Sequence, residues 1–265
     1  TMTSEAANIY FEISVSTAGD VNGDGYSDVI AGAYGYSSIT GRAYIFFGGE
    51  SMNNAADVTI TGETSGSYFG FSVSDAGDLN GDGYSDVIVG ARGYSTSTGR
   101  AYMFLGGAIM NNTADITVTG EATFNYFGSS VAFAGDVNGD GYSDVMVGAH
   151  GYSSNTGRVY LYDYYMSDEL TPEITFTGEA TNVRFGMSVS TAGDVNGDGY
   201  SDVIVGAYRY SSNTGRAYVF YGGPNMDNIA DVTMTGEGTN NYFGISVSSA
   251  GDINGDGFSD VIVGA

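Results

Sequence analysis

One block of sequence recurs at a fixed interval along the chain, without insertion or deletion, and that period limits the fold more than any other feature. The string Ala-Gly-Asp-x-Asn-Gly-Asp-Gly-x-Ser-Asp-Val-x-x-Gly-Ala begins at Ala18, Ala76, Ala134, Ala192 and Ala250. Phe11, Phe69, Phe127, Phe185 and Phe243 keep the same step, as do Arg42, Arg100, Arg158 and Arg216. Within the second copy, Phe69 to Ser74 alternates apolar and small polar residues, the period of a strand with two unlike faces. Val87-Ile88-Val89 is a short apolar run suited to a strand covered on both sides. Gly93 to Gly99 is a Gly/Ser/Thr loop, Ala101 to Leu105 a third strand, and Asp115 to Thr119 a fourth, alternating one. No segment sustains a 3.6-residue apolar period, so helix content is expected to be very small.

Four short antiparallel strands in a unit of about 58 residues predict an all-β fold, a β-propeller of four-stranded blades. Coils of a linear β-solenoid are much shorter. The expected boundaries fall near 1–58, 59–116, 117–174, 175–232 and 233–265, a single propeller domain of about four and a half repeats with five acidic loops. A lone four-stranded sheet cannot bury both faces, so blades must stack, and Gly70, Ser72 and Ser74 are small where a neighbouring blade approaches. Thr1 is in register with Thr59 and Ala265 with Ala33, so the ends are incomplete. The expectation is either a ring with one blade stitched from both ends or part of a longer array, with self-association through the incomplete ends. The first copy is atypical: Ser4 and Glu12 stand where the second has Gly62 and Gly70.

Charge narrows the partners. Against 31 acids stand 7 basic residues, all arginine, for a net charge of −24. Such a chain is repelled by nucleic acid and by anionic lipid. No run of 18 apolar residues predicts membrane insertion. Cysteine is absent, which removes disulfides and thiol chemistry, and a single histidine, His150, leaves no imidazole pair for zinc or a catalytic triad.

Many of the acids sit in one recurring nine-residue loop, with side-chain oxygens at positions 1, 3, 5 and 9. The copies are Asp20/Asn22/Asp24/Asp28, Asp78/Asn80/Asp82/Asp86, Asp136/Asn138/Asp140/Asp144, Asp194/Asn196/Asp198/Asp202 and Asp252/Asn254/Asp256/Asp260. The position-7 carbonyls of Tyr26, Tyr84, Tyr142, Tyr200 and Phe258 offer a further oxygen. Asn-Gly and Asp-Gly would explain a hairpin turn, but not three clustered carboxylates, which repel unless a cation sits among them. Flexible all-oxygen loops suit Ca²⁺ better than Mg²⁺ or Mn²⁺, so about five calcium ions are expected. The spacing matches the start of an EF-hand loop. Position 12, however, is Ala31, Val89, Val147, Val205 or Val263, never Glu, and no helix flanks it. Five divalent ions would bring the formal charge from −24 to −14. At ten times Kd each would add about 1.4 kcal/mol, roughly 7 kcal/mol together. That makes calcium a folding cofactor.

Phe-Gly before the first strand, the nine-residue aspartate loop and the following Val-Gly-Ala resemble the FG-GAP repeat of integrin α-subunit β-propellers, over essentially the whole chain. The proline that completes "GAP" is replaced by Tyr34, Arg92, His150 and Tyr208. The resemblance implies calcium loops on the lower face, between first and second strands. It places ligands on the upper face, at 34–41, 92–99, 150–157 and 208–215 together with 62–68, 120–126, 178–184 and 236–242. Arg42 and its equivalents are expected in structural ion pairs or carbonyl contacts. Tyr36, Tyr94, Tyr152 and Tyr210 either cap the blade edge or stack sugars. Asn111-Asn112-Thr113 is one glycosylation sequon.

These features predict a non-enzymatic, extracellular or cell-surface module for adhesion, protein interaction or self-assembly, binding a protein or glycan on the upper loops. The alternatives are a carbohydrate-binding lectin or an accessory domain of a larger secreted enzyme.

Overall fold

The structure is a computed structural model that describes residues 11–163 and 171–265. Ser4 lies outside the described residues, and so does the side chain of Glu12. The chain divides into two compact units, Thr1–Val131 and Ala132–Ala265. In the first, strands β1 (Phe11–Gly19), β2 (Asp28–Ala33), β3 (Arg42–Phe46) and β4 (Val58–Thr61) form one antiparallel sheet in sequence order. Strands β5 (Phe69–Gly77), β6 (Asp86–Ala91), β7 (Arg100–Phe104) and β8 (Ile116–Thr119) form the next. Strand β9 (Ser130–Gly135) straddles the division and pairs in a sheet with β10 (Asp144–Ala149), β11 (Arg158–Asp163) and β12 (Ile174–Thr177). The second unit continues with β13 (Ser188–Gly193), β14 (Asp202–Ala207), β15 (Arg216–Phe220) and β16 (Val232–Thr235), then the pair β17 (Ser246–Gly251) and β18 (Asp260–Gly264). Four-stranded antiparallel meanders in five repeats are blades of a partial β-propeller.

Each blade packs through its two middle strands, which carry the most continuous apolar runs. In the first unit Ile30, Ile45 and Ile60 meet Phe69, Val87, Val89, Tyr102 and Phe104 in one buried cluster. Phe69 stands edge-on to Tyr102 at 5.2 Å and to Phe104 at 6.3 Å. Phe185 repeats both contacts on Tyr218 and Phe220, at 5.3 and 6.4 Å. The recurring phenylalanine is thus the wedge of its own blade.

The glycine after it has a different task. Gly70 takes a φ of +78° at a register shift between Phe69 and Ser72. Its backbone lies so close to the preceding sheet that a Cβ on Gly32 would stand 2.0 Å from the Gly70 carbonyl oxygen. Ser72 Oγ donates to the Gly128 carbonyl at 3.0 Å, so the small residues of the first strand do serve the approach of the next repeat.

The loop between second and third strands holds more structure than its composition suggests. Tyr36–Ile39 winds into a single helical turn in which Ser37, Ser38 and Ile39 adopt φ of 43°, 58° and 64°. The same left-handed turn recurs at Tyr94–Ser97, Tyr152–Asn155 and Tyr210–Asn213. Side chains there cost of order 1–2 kcal/mol per residue. The strain is offset because the turned-out carbonyls receive amides of the following loop: Gly66 N to Ser38 O at 3.2 Å and Tyr68 N to Ile39 O at 3.0 Å. Loops 34–41 and 62–68 therefore form one surface, at the strand ends opposite the acidic loops.

Candidate metal loops and the opposite loop face

Each acidic loop is a run of side-chain-to-backbone hydrogen bonds closed around its first aspartate. Asp20 Oδ1 accepts the amides of Gly23 at 2.8 Å and Asp24 at 3.0 Å, and Oδ2 accepts Gly25 at 2.8 Å. Asn22 Oδ1 accepts Asp24 N and Asp24 Oδ1 accepts Tyr26 N, both at 2.9 Å. Positions 1, 3 and 5 behave identically in the other copies, with Asp78, Asp136, Asp194 and Asp252 each gathering three amides. In the first loop Asn22 Nδ2 donates to Asp24 Oδ2 at 3.0 Å, and Asn80 and Asn196 do likewise.

Position 9 is the part that sequence reasoning took for one more ligand and no more. Asp28, Asp86, Asp144 and Asp202 are fully or almost fully buried, while Asp260 is half-buried. Asp86 Oδ2 accepts Leu79 N and Oδ1 accepts Gly106 N, both at 2.8 Å. Asp28 ties Val21 to Gly48, and Asp202 ties Val195 to Gly222, in the same way. This aspartate latches the loop to the hairpin after the third strand. The only hint in the sequence is a glycine that follows the aspartate 20 residues on, behind the third strand of these three repeats.

Burial sets the electrostatics of the latch. It pushes Asp86 up to about 7, against the backbone hydrogen bonds that pull down, with Asp82 and Asp78 adding repulsion. Burial pushes Asp144 up to about 8, helped by Asp163, Asp140 and Glu173. Asp28 and Asp202 are raised for the same first reason. Asp252, held by the amides of Gly257 and Gly255, lies below the usual range.

The loops are also joints between repeats. Ser85 N donates to Asp20 O at 3.0 Å, and Gly107 N to Val21 O at 2.8 Å. In the second unit Ser201 N bonds Asp136 O, Gly223 N bonds Val137 O and Ser259 N bonds Asp194 O. The position-7 rings cover the preceding loop: a Cβ on Gly23 would stand 2.5 Å from Tyr84, and one on Gly139 2.4 Å from Tyr200.

The last loop lacks that cover, and there the expected ligands Asn254 and Asp256 are not gathered around an ion position. Both are exposed. Asn254 Oδ1 accepts Asp256 N at 2.8 Å and Asp256 Oδ1 accepts Phe258 N at 3.0 Å, so their oxygens are engaged with the loop's own backbone. The physical reason is the open surround. A Cβ on Gly255 would meet nothing within 4 Å, where its equivalents Gly23 and Gly139 lie under a tyrosine ring.

Hard oxygens in this number fit a divalent cation, since each carboxylate oxygen that accepts an amide keeps a second lone pair. Among the described residues no three carboxylate or histidine side chains are drawn into a metal-ligating group, in the last loop or in the four before it. The donor set is present, and its side chains are engaged with the loop backbone.

On the opposite face the repeated arginines are structural. Arg100 pairs with Glu63 at 3.1 Å and Arg216 with Glu179 at 3.0 Å, and each donates Nε to a threonine of the fourth strand at 2.9 Å. The guanidinium groups of Arg42, Arg100, Arg158 and Arg216 lie 3.7, 3.9, 3.8 and 3.8 Å over Tyr36, Tyr94, Tyr152 and Tyr210. Tyr94 and Tyr210 also pack on the core. The rings considered for sugar stacking are thus edge caps. The positions that vary between copies meet aromatic neighbours. Tyr34 stacks on Tyr68 at 5.6 Å, Arg92 lies 3.6 Å over Phe71, and Arg184 Nη1 donates to Tyr208 OH at 3.1 Å. His150 is buried.

Four-stranded blades, each opened by a Phe-Gly bulge and an aspartate loop, define a class of repeat. The FG-GAP repeat profile matches residues 13–46, 69–104, 127–162, 185–220 and 243–265. The chain belongs to the FG-GAP repeat family. It is 31 % identical over 255 residues to integrin alpha-5 of Xenopus laevis, covering 86 % of this chain and 23 % of that protein. It is 38 % identical over 166 residues to integrin alpha-IIb of Mus musculus, covering 57 % and 16 %. Integrin alpha-PS2 of Drosophila melanogaster is 33 % identical over 225 residues, covering 75 % and 15 %. The chain thus spans less than a quarter of the length of these relatives. Among the described residues no helix is long and apolar enough to cross a membrane.

Proposed function

We propose that this chain is a calcium-stabilised, non-enzymatic propeller module of an extracellular or cell-surface protein, acting in adhesion or protein interaction. The observation that carries the reading is the acidic loop, built five times on one hydrogen-bond plan and, within each compact unit, placed at joints between repeats. Millimolar calcium outside cells fills sites of ordinary module affinity, about 10⁻⁴–10⁻³ M. The ions would be held by the oxygens of positions 1, 3 and 5, with the position-7 carbonyl, beside the position-9 latch. They would neutralise like charges and keep each joint closed.

The partner surface is the opposite loop face, 34–41, 92–99, 150–157 and 208–215. The residues that change from copy to copy, Tyr34, Arg92, His150 and Tyr208, lie there. A protein partner suits this face better than a sugar, because arginine already covers the repeated tyrosine rings. That the relatives are integrin alpha subunits supports an adhesive role.

The test is thermal unfolding with calcium and with excess chelator. A contribution of roughly 7 kcal/mol corresponds to a fall of well over 10 °C in Tm on chelation. An unchanged transition refutes the structural role of calcium.

A further inference from the structure

The third repeat departs from the others at two positions, and both departures bring an acid to the same spot. Where the other third strands are followed by Phe47, Leu105 and Tyr221, this one ends in Asp163. Where Asp57, Asp115 and Asp231 accept the amides of Phe47, Leu105 and Tyr221 at 2.8 Å, this repeat carries the longer Glu173. Asp163 is the cross-strand partner of Asp144, the position-9 latch.

The latch is incomplete here. Asp144 Oδ2 accepts Val137 N at 2.8 Å, as in every copy. Its Oδ1, the oxygen that caps Gly48, Gly106 or Gly222 in other copies, has no hydrogen-bond partner although Asp144 is 0 % exposed. Oδ1 of Asp163 is likewise buried without a partner, while its Oδ2 accepts Asn138 Nδ2 at 3.2 Å. Two buried carboxylate oxygens lacking donors face a shared deficit of positive charge. A single shared proton would satisfy the pair Asp144–Asp163. It would leave unexplained why Glu173, exposed and able to swing inward, adds a third negative charge.

We propose that the third repeat carries a second divalent-cation site, separate from its nine-residue loop, formed by Asp144 Oδ1, Asp163 and Glu173. The ligand is a hard cation such as Ca²⁺, held by carboxylate oxygens alone. Asp144 and Asp163 form the buried floor, and Glu173 closes over the ion from solvent. The neighbouring Asn138 orients Asp163 through its Oδ2, which leaves Oδ1 for the metal.

Native mass spectrometry in millimolar calcium counts the ions directly. With five loops filled, the wild-type chain carries six ions and Asp163→Leu, which installs the residue of the second repeat, carries five. Asp163→Asn keeps the size and the contact to Asn138, and it gives the same loss of one ion even if the leucine variant folds poorly. An equal count in wild type and both variants overturns the inference, and a shared proton is then the compensating charge. The site goes beyond the nine-residue loops, and the two readings fail separately. One ion in wild type that disappears in Asp163→Asn sinks the loop reading alone. Five ions in all three proteins sink the inference alone.

Discussion

Removing the latch of the second repeat separates its mechanical role from any part it takes in binding. Asp86 is 0 % exposed and accepts two amides at 2.8 Å, one from the loop and one from the next hairpin. Asp86→Ala leaves Leu79 N and Gly106 N buried without acceptors, at about 1–3 kcal/mol each. The lost carboxylate was itself disfavoured by burial, which holds it up to about 7 and offsets part of that loss. A net destabilisation of roughly 2–4 kcal/mol remains. For a chain of this size it lowers Tm by about 5–15 °C. The control is Asp82→Ala in the same loop, which is exposed and accepts only Tyr84 N, at 3.0 Å, and Asn80 Nδ2. In chelator Asp82→Ala shifts Tm by a few degrees at most, yet in calcium it forfeits one ion's increment. Calorimetry of both variants with and without calcium makes the comparison. If Asp86→Ala in chelator melts no lower than Asp82→Ala, the latch argument is wrong.

Gly206→Ala would put a methyl carbon 2.0 Å from the Gly244 carbonyl oxygen, a backbone clash that cannot be relieved by a rotamer. It is expected to cost about 1–3 kcal/mol, read as faster amide exchange in β13, β14 and β17; unchanged exchange would show that the repeats do not pack as tightly as described. In chelator, stability is expected to fall as pH rises from about 4 to 8. Asp86 and Asp144, with folded values of about 7 and 8 against 3.8 unfolded, bind protons in the native state that the unfolded chain has released. Calcium should flatten or reverse that slope, and Tm against pH with and without the ion decides it. Arg216→Met removes an ion pair that is largely exposed on the Glu179 side. A double-mutant cycle with Glu179→Gln is expected to return less than about 1 kcal/mol, and a coupling of several kcal/mol would contradict the solvent-screened geometry.

Strand order, the Phe-Gly approach and the position of the acidic loops were legible because they rest on period and composition, which the repeat prints five times. What stayed hidden depends on the third dimension. Asp28 and its equivalents look like ligands in a list of oxygens, and only the burial of the hairpin behind them exposes the amides they hold. Asn254 and Asp256 read the same as Asn80 and Asp82 in sequence, and only the uncovered surround of Gly255 sets their loop apart. The left-handed turn at Ser37–Ile39 has no glycine within it to announce the backbone. Its strain is tolerated because a second loop, further along the chain, supplies donors; equivalents are Tyr126 N to Ser97 O at 2.8 Å and Tyr242 N to Asn213 O at 2.8 Å. Asp163 and Glu173 were visible as breaks in an otherwise constant register. Their meaning came from the unpartnered oxygen of Asp144 beside them.

The hydrogen bonds from Ser85 and Gly107 to the Asp20 loop make that joint the common property of two consecutive repeats, and Ser259 does the same for the Asp194 loop. Damage at one loop therefore loosens the stretch behind it as well as its own. Under a pulling load such a chain would part link by link, with ion occupancy setting how much force each link withstands.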